Sequence, residues 1–157
     1  MSDLISAYKV RPARSSDAVA LVRLRSALWP QSRNRDHQTE VEALFAGAPF
    51  STLPLEIFVA EQDGILLGFI EIGLRSHADG CDGRKPVGYI EGWYVGTEHR
   101  QLRVGRALFE AAENWARRQG CVEIASDTWI DNLPAQKAHE ALGFKVVDRC
   151  VNYRKLL

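Results

Sequence analysis

One stretch limits the folds open to this chain more than any other. Tyr89-Ile90-Glu91-Gly92-Trp93-Tyr94-Val95 is the apolar, aromatic and branched run of a buried strand. Gly96 to Arg103 follows as a short loop carrying His99, Arg100 and Arg103. A helix then reads from Arg103 to Gln119, with Gly120 as its stop. Val104, Leu108, Ala111, Ala112 and Trp115 recur on one face of it, and Arg106, Glu110, Glu113, Arg117 and Arg118 on the other. A strand that feeds a helix N-terminus through a Gly- and Arg-bearing loop is a ready seat for a pyrophosphate. The first N–H groups of the helix lack internal partners, and the dipole there favours negative charge. Glu91 lies inside the apolar strand, where an ionised carboxylate costs several kcal/mol unless it is paired or wet. An anion cradle beside a carboxylate is a pairing suited to group transfer.

The rest of the chain supplies a sheet for that unit. Tyr8 to Ala13 reads as a first strand. A helix capped by Ser15 or Ser16 runs through Trp29, with Ala18, Leu21, Leu24 and Leu28 at helical spacing and Pro30 behind it. A short second helix covers Thr39 to Ala46, and Pro49 and Pro54 bound the loop after it. Glu56 to Glu61 and Ile65 to Leu74 are strands joined at Asp63-Gly64, a strong two-residue hairpin turn. A polar loop, Arg75 to Lys85, leads to the strand Val87 to Val95. After the long helix come a strand over Val122 to Thr128 and a helix from Leu133 to Leu142. Asn132 caps that helix, Pro134 stands in its first turn and Gly143 follows its end. Phe144 to Val151 and Tyr153 to Leu157 read as a closing hairpin. The order predicts an α+β fold: a central mixed sheet flanked by about four helices, in a single domain over 1–157.

Composition narrows the function classes. The 157 residues carry no net charge, so no bulk basic field exists to attract nucleic acid, and no basic–aromatic strip is visible. The N-terminus has no basic start with an apolar core behind it, and no run approaches the eighteen or so apolar residues of a membrane span. A cytoplasmic protein is the expectation. Three cysteines, Cys81, Cys121 and Cys150, share no CxxC spacing and support neither a disulfide framework nor a zinc site. Cys121 and Cys150 flank apolar runs and read as buried; Cys81 lies in a polar loop.

With those motifs in that order, the chain resembles the Gcn5-related N-acetyltransferase (GNAT) superfamily, whose members bind acetyl-CoA at the strand–loop–helix. The superfamily loop usually reads Gln/Arg-x-x-Gly-x-Gly/Ala; here it is Arg100-Gln101-Leu102-Arg103-Val104-Gly105, with Arg103 where the first glycine is usual. Further motifs, among them Ala27-Leu28-Trp29-Pro30, Ile90-Glu91-Gly92, Ala125-Ser126-Asp127-Thr128, Asn132, His139, Ala141-Leu142-Gly143-Phe144 and Tyr153-Arg154-Lys155, stand as in aminoglycoside 6'-N-acetyltransferases of the I type. The resemblance covers nearly the whole chain. It implies acetyl-CoA as co-substrate, no metal, an aminoglycoside acceptor and a homodimer with the C-terminal strands at its interface. It also implies that the backbone of Trp93, Tyr94 and Val95 pairs with the pantetheine arm as an added strand. Arg100, Gln101, Leu102, Arg103, Val104, Gly105 and Arg106 would hold the pyrophosphate, and Asn132 would contact the cofactor. Trp29, Glu91, Asp127 and Asp148 match positions that line the antibiotic pocket, and His77 falls near a further one. Tyr153 matches a tyrosine suspected of protonating the leaving thiolate.

The chemistry wants such groups. An alkyl amine with a pKa near ~10.4 is only about one part in a thousand neutral at pH 7, so supplying the nucleophile costs roughly 4 kcal/mol unless a base or water relay takes the proton. Glu91 and Asp127 are predicted at equivalent depths of neighbouring strands, where they could take that proton directly or through water and anchor ammonium groups. The N–H of Val95 is the candidate oxyanion donor. Each residue also has a structural reading: Glu91 as a carboxylate capped by backbone or paired with Arg, Asp127 as a turn cap, Trp29 as core, Tyr153 as a hairpin tyrosine. His139 reads as structural, and His37 and His99 as solvated. Two other functions stay open: acetylation of another amine such as a polyamine or protein N-terminus, and a CoA-binding regulatory module without turnover.

Overall fold

The computed structural model describes residues 8–48 and 53–157. The readings made on Met1 to Ala7 and on Pro49 lie outside the described residues. Five strands form one sheet in the order β1 (Lys9–Pro12), β2 (Leu55–Gln62), β3 (Ile65–Arg75), β4 (Val87–Val95) and β5 (Ile124–Ser126). The first four pair antiparallel and β5 joins β4 in parallel, so the sheet is mixed as expected. Four α-helices accompany it: α1 (Ala18–Leu28), α2 (Asn34–Phe45), α3 (Val104–Arg118) and α4 (Leu133–Ala141).

Strand alternation sends side chains to two separate cores. Phe58, Ala60, Ile70, Ile72 and Ile90 pack with Val104, Leu108, Phe109, Ala112 and Trp115 of α3. Ile57, Val59 and Phe69 face the other way, against Leu21 of α1 and Val41 of α2. Because both faces are covered, β2 and β3 read as nearly continuous apolar runs. Asp63 and Gly64 take φ of 50° and 80°, the left-handed pair that a two-residue hairpin of matching twist requires.

Five departures from expectation have local causes. Helix α2 starts at Asn34, five residues before Thr39, because its first inward residue is polar: His37 is 3% exposed, one turn before Val41 on the same face, so the apolar stripe was hidden. His37 is therefore buried against Trp29 and not solvated. Strand β5 is three residues long because β4 pairs with it only from Gly88 to Ile90. The closing hairpin over 144–151 and 153–157 is not formed. Those residues hold neither helix nor strand: Phe144 packs on Phe109 and Val147 lies against Gly80, but Val146, Val151 and Leu156 are exposed, so no alternating strand face is covered among the described residues. Cys150 is accordingly exposed, whereas Cys121 is buried as read.

Candidate active site

A bulge in β4 sets the geometry. Gly92 pairs with Glu71 and Ile90 with Ile72, which leaves Glu91 as the extra residue. A bulge bends its strand and re-aims the inserted side chain. Here it turns a carboxylate into a cleft of about 390 Å³ between α1, α2 and the sheet, lined by Arg25, Glu40, Glu71 and Glu91 among apolar groups. Trp29, at the end of α1, lies directly on Gly92: a Cβ there would come within 2.5 Å of the indole Cη2. The indole is stacked on His37 at 5.9 Å and meets Phe69 edge-on at 6.3 Å. It lines an adjoining recess with Ser32, Asp36 and His37.

The carboxylates of this face are held by internal partners. Arg25 is 6% exposed and donates to both Glu71 and Glu40, with its guanidinium 4.9 Å from the Trp29 ring centroid. Its Nε is buried without a partner among the described residues. Burial pushes the Glu71 carboxyl above the usual range; Glu91 and Glu40 add to that, while Arg25 opposes it. Glu91 accepts both Arg75 Nε (2.9 Å) and Arg75 Nη2 (2.7 Å). The same guanidinium lies 3.5 Å from the centroid of Tyr89, whose hydroxyl donates to Asp127 at 2.9 Å. Burial and that hydrogen bond raise the Tyr89 phenol well above its ordinary value. Since Ile90 pairs with Ser126, Glu91 and Asp127 follow at matching depth, and Arg75 with Tyr89 links them.

Other expected residues stand apart. His77 is exposed beside Asp79, Asp148 is exposed and accepts the Arg149 N–H, and Tyr153 is 92% exposed. Sequence reading passed over Arg25, Glu40, Glu71 and Arg75. The signal for Arg25 and Glu71 was the one that singled out Glu91, a charge inside an apolar periodicity.

Among the described residues, β4 beyond Ile90 pairs with β3 alone, so Trp93, Tyr94 and Val95 present a bare backbone edge where β5 departs. The Gly96 N–H bonds back to Leu67 on β3. Alternation then turns the Val95 N–H outward to that open edge. Arg100 donates to the Val95 carbonyl at 3.1 Å. The loop closes through two left-handed residues, Gln101 (φ 62°) and Arg103 (φ 60°), and no side chain caps the start of α3. Arg103 thus occupies the conformation that glycine adopts without strain. Gly105 lets the helix start close on β4, since a Cβ would meet Trp93 Cζ2 at 3.1 Å. Trp93 Nε1 is buried with no partner among the described residues. Uncapped helix N–H groups ringed by Arg100, Arg103 and Arg106 fit a pyrophosphate-bearing cofactor. Asn132 caps α4 through the Ala135 N–H. His139 Nδ1 donates to the Ala135 carbonyl within α4, so its Nε2 accepts from the Ser126 hydroxyl at 2.8 Å and ties α4 to β5.

A profile of the acetyltransferase (GNAT) family matches residues 19–144. The chain belongs to that family. Within the GNAT family, it is 39% identical over 148 residues to an aminoglycoside N(6')-acetyltransferase type 1 of Klebsiella aerogenes, across 94% of this chain and 96% of that one. A protein of the same name from Serratia marcescens is 39% identical over 140 residues, 88% and 92% of the two chains. The solved structure of AAC(6')-Iy in complex with CoA superposes with a TM-score of 0.87 at 32% identity over 99% of each chain. AAC(6')-Iy in complex with the bisubstrate analogue CoA-S-monomethyl-acetylneamine gives 0.86 at 33% identity, over 97% of this chain and 100% of that one. The GNAT fold here therefore sets an opened strand edge, with an arginine-bearing loop at a helix start, next to a carboxylate-lined cleft. Among the described residues, no group of three or more His, Cys, Asp or Glu side chains is placed to hold a metal ion. No described helix is long and apolar enough to cross a membrane.

Proposed function

We propose that this chain transfers the acetyl group of acetyl-CoA to the 6'-amine of aminoglycosides by direct attack in a ternary complex, and so confers resistance. One observation carries the reading. The bulged Glu91, on the wall of a cleft with three carboxylates, is two residues from the open edge Trp93 to Val95. An acidic cleft suits a polycationic sugar, since each charge-assisted hydrogen bond is worth about 1.5–3 kcal/mol. The relatives' names and the bisubstrate complex point the same way.

The roles follow from position. The backbone of Trp93, Tyr94 and Val95 binds the pantetheine arm, and Gln101 to Arg106 with Arg100 bind the pyrophosphate; Asn132 contributes its side-chain amide. The Val95 N–H steadies the oxyanion that forms as the amine attacks the thioester. Glu91 and Asp127 take the ammonium proton, directly or through water, and Trp29 forms the wall on which the sugar packs. Asp148, His77 and Tyr153, which stand apart from the cleft in the free chain, are assigned to the acceptor pocket on the family resemblance alone, with Tyr153 returning a proton to the departing thiolate. A homodimer is part of this proposal: the exposed 144–157 segment, with Val146, Val151 and Leu156 uncovered, supports a C-terminal interface. So are a single functional domain over 1–157 and a cytoplasmic location, where acetyl-CoA is available.

The test is release of CoA from acetyl-CoA across aminoglycosides with and without a 6'-amine, such as kanamycin and tobramycin. Turnover confined to the 6'-amines is expected, and Glu91→Ala and Asp127→Ala should each raise the acceptor KM or lower kcat. No turnover with any 6'-amine compound removes the reading and leaves another amine as acceptor, which a polyamine and peptide panel then identifies. Tight acetyl-CoA binding without transfer to any amine would instead mark a regulatory module.

A further inference from the structure

Among the carboxylates of the open face, the internal partners differ in how firmly they are held. Arg25 and Glu71 are sealed, at 6% and 8% exposure. Among the described residues, Asp127 is held by the Tyr89 hydroxyl alone. Glu91 is held by Arg75, and these two side chains are 30% and 44% exposed. The Arg75 guanidinium makes the contacts a substrate ammonium would seek: both oxygens of Glu91, at 2.9 and 2.7 Å, and the face of Tyr89, at 3.5 Å. A carboxylate beside an aromatic face is a cation seat. Gly73 is the register partner of Tyr89, so β3 projects no side chain beside that ring. Arg75 lies two residues further on the same face and folds back over the gap.

We propose that Arg75 is a tethered counter-cation that fills this seat in the free protein, and that a polycationic acceptor binds by exchanging one of its own ammonium groups for the guanidinium. This rests on the reading of the cleft as the acceptor site. Arg75 thereby sets acceptor affinity. Displacement is inexpensive because the side chain is half in water and can swing outward on a long flexible stem. It still competes, and once displaced it leaves a positive charge at the cleft mouth that repels the incoming polycation. An acceptor with several ammonium groups replaces both the ion pair and the ring contact. A neutral molecule replaces neither and would leave Glu91 paired with Arg75.

The experiment compares wild type with Arg75→Gln and Arg75→Lys in the full chain at saturating acetyl-CoA. For Arg75→Gln the KM for kanamycin is expected to fall on the order of tenfold, the worth of an exposed bidentate pair plus a ring contact. Arg75→Lys retains charge without the planar fork and should lie between the two. Calorimetric titration of kanamycin into the CoA complex, where no transfer occurs, should show the same tightening. A lower kcat with KM unchanged or raised, and no tightening by calorimetry, overturns the proposal and makes Arg75 a positioning residue for Glu91. The Nε–H signal of Arg75 in nitrogen-edited NMR gives a readout that needs no turnover. Kanamycin or spermine should release it from its bonded shift. If wild type acetylates no aminoglycoside yet spermine releases the signal, the seat stands and the aminoglycoside reading falls. If the signal persists at saturating concentrations of both ligands, the seat itself falls.

Discussion

Replacing Gly92 by alanine tests how the bulged strand and the cleft wall depend on each other. The added Cβ would lie 2.5 Å from Trp29 Cη2, 2.9 Å from Cζ2 and 3.2 Å from Leu28 Cδ2. The first two distances are below any real contact, so the indole must move. It cannot move freely, because it is stacked on His37, set edge-on against Phe69 and covered by the Arg25 guanidinium. Forcing one methyl into such a site costs about 1–3 kcal/mol, and about 2 kcal/mol is expected here because the clash falls on a ring tip that can tilt. In a domain of this length each kcal/mol lowers Tm by roughly 2–4 °C, so a drop of about 4–8 °C should appear in thermal unfolding followed by circular dichroism. The acceptor KM should rise as well, since the displaced indole intrudes on the cleft. Combining Gly92→Ala with Trp29→Phe removes the two clashing ring atoms and should recover part of the loss, a coupling that a double-mutant cycle reads directly. A Tm within about 1 °C of wild type, with acceptor KM unmoved and no coupling to Trp29, would refute the claim that the indole is seated on Gly92.

Three further outcomes are expected. Asp17 is nearly buried, accepts 2.7 and 2.9 Å hydrogen bonds from Arg11 and is bonded by the Arg14 N–H, chiefly the first of which holds its carboxyl below the ordinary range. Its stabilisation is complete above the unfolded value near ~3.9 and disappears as pH falls through the lower native one. Asp17→Ala should therefore cost about 3 kcal/mol in urea unfolding at pH 7, and the gap to wild type should narrow below about pH 4. Arg103→Gly relieves a left-handed residue but adds unfolded-state freedom, two effects of about 1 kcal/mol that nearly cancel; stability should hold while CoA affinity, measured by calorimetry, weakens several-fold through loss of the cation. Unchanged affinity would exclude Arg103 from the pyrophosphate site. Tyr153→Phe should lower kcat by about 100-fold or more with acetyl-CoA KM unmoved if its hydroxyl returns the proton to sulfur, and an unaltered kcat removes that role.

Much of the fold could be read along the chain because its signals are local. The period of the long helix, the Asp63-Gly64 turn, the Asn132 cap and the run from Tyr89 to Val95 each lie within a few residues of one another. Where reading fell short, a polar residue occupied an inward position or a partner was distant. His37 hid the first turn of α2. Glu71, in a strand already accepted as apolar, escaped the argument that singled out Glu91. The 144–157 segment carries strand-like residues, yet β-structure needs a neighbour to share its hydrogen bonds, and β5 offers only three paired positions.

Sequence alone determined that a strand would meet a helix through a short arginine-bearing loop with a carboxylate just upstream, because turn chemistry and side-chain periodicity act over a few residues. Only the tertiary structure decided which charge answers which. Arg25 meets Glu71, 46 residues away, and Arg75 reaches Glu91 across a bulge. Ion pairs form by distance in space, and a bulge that adds one residue to one strand changes that distance without leaving a mark in the order of residues.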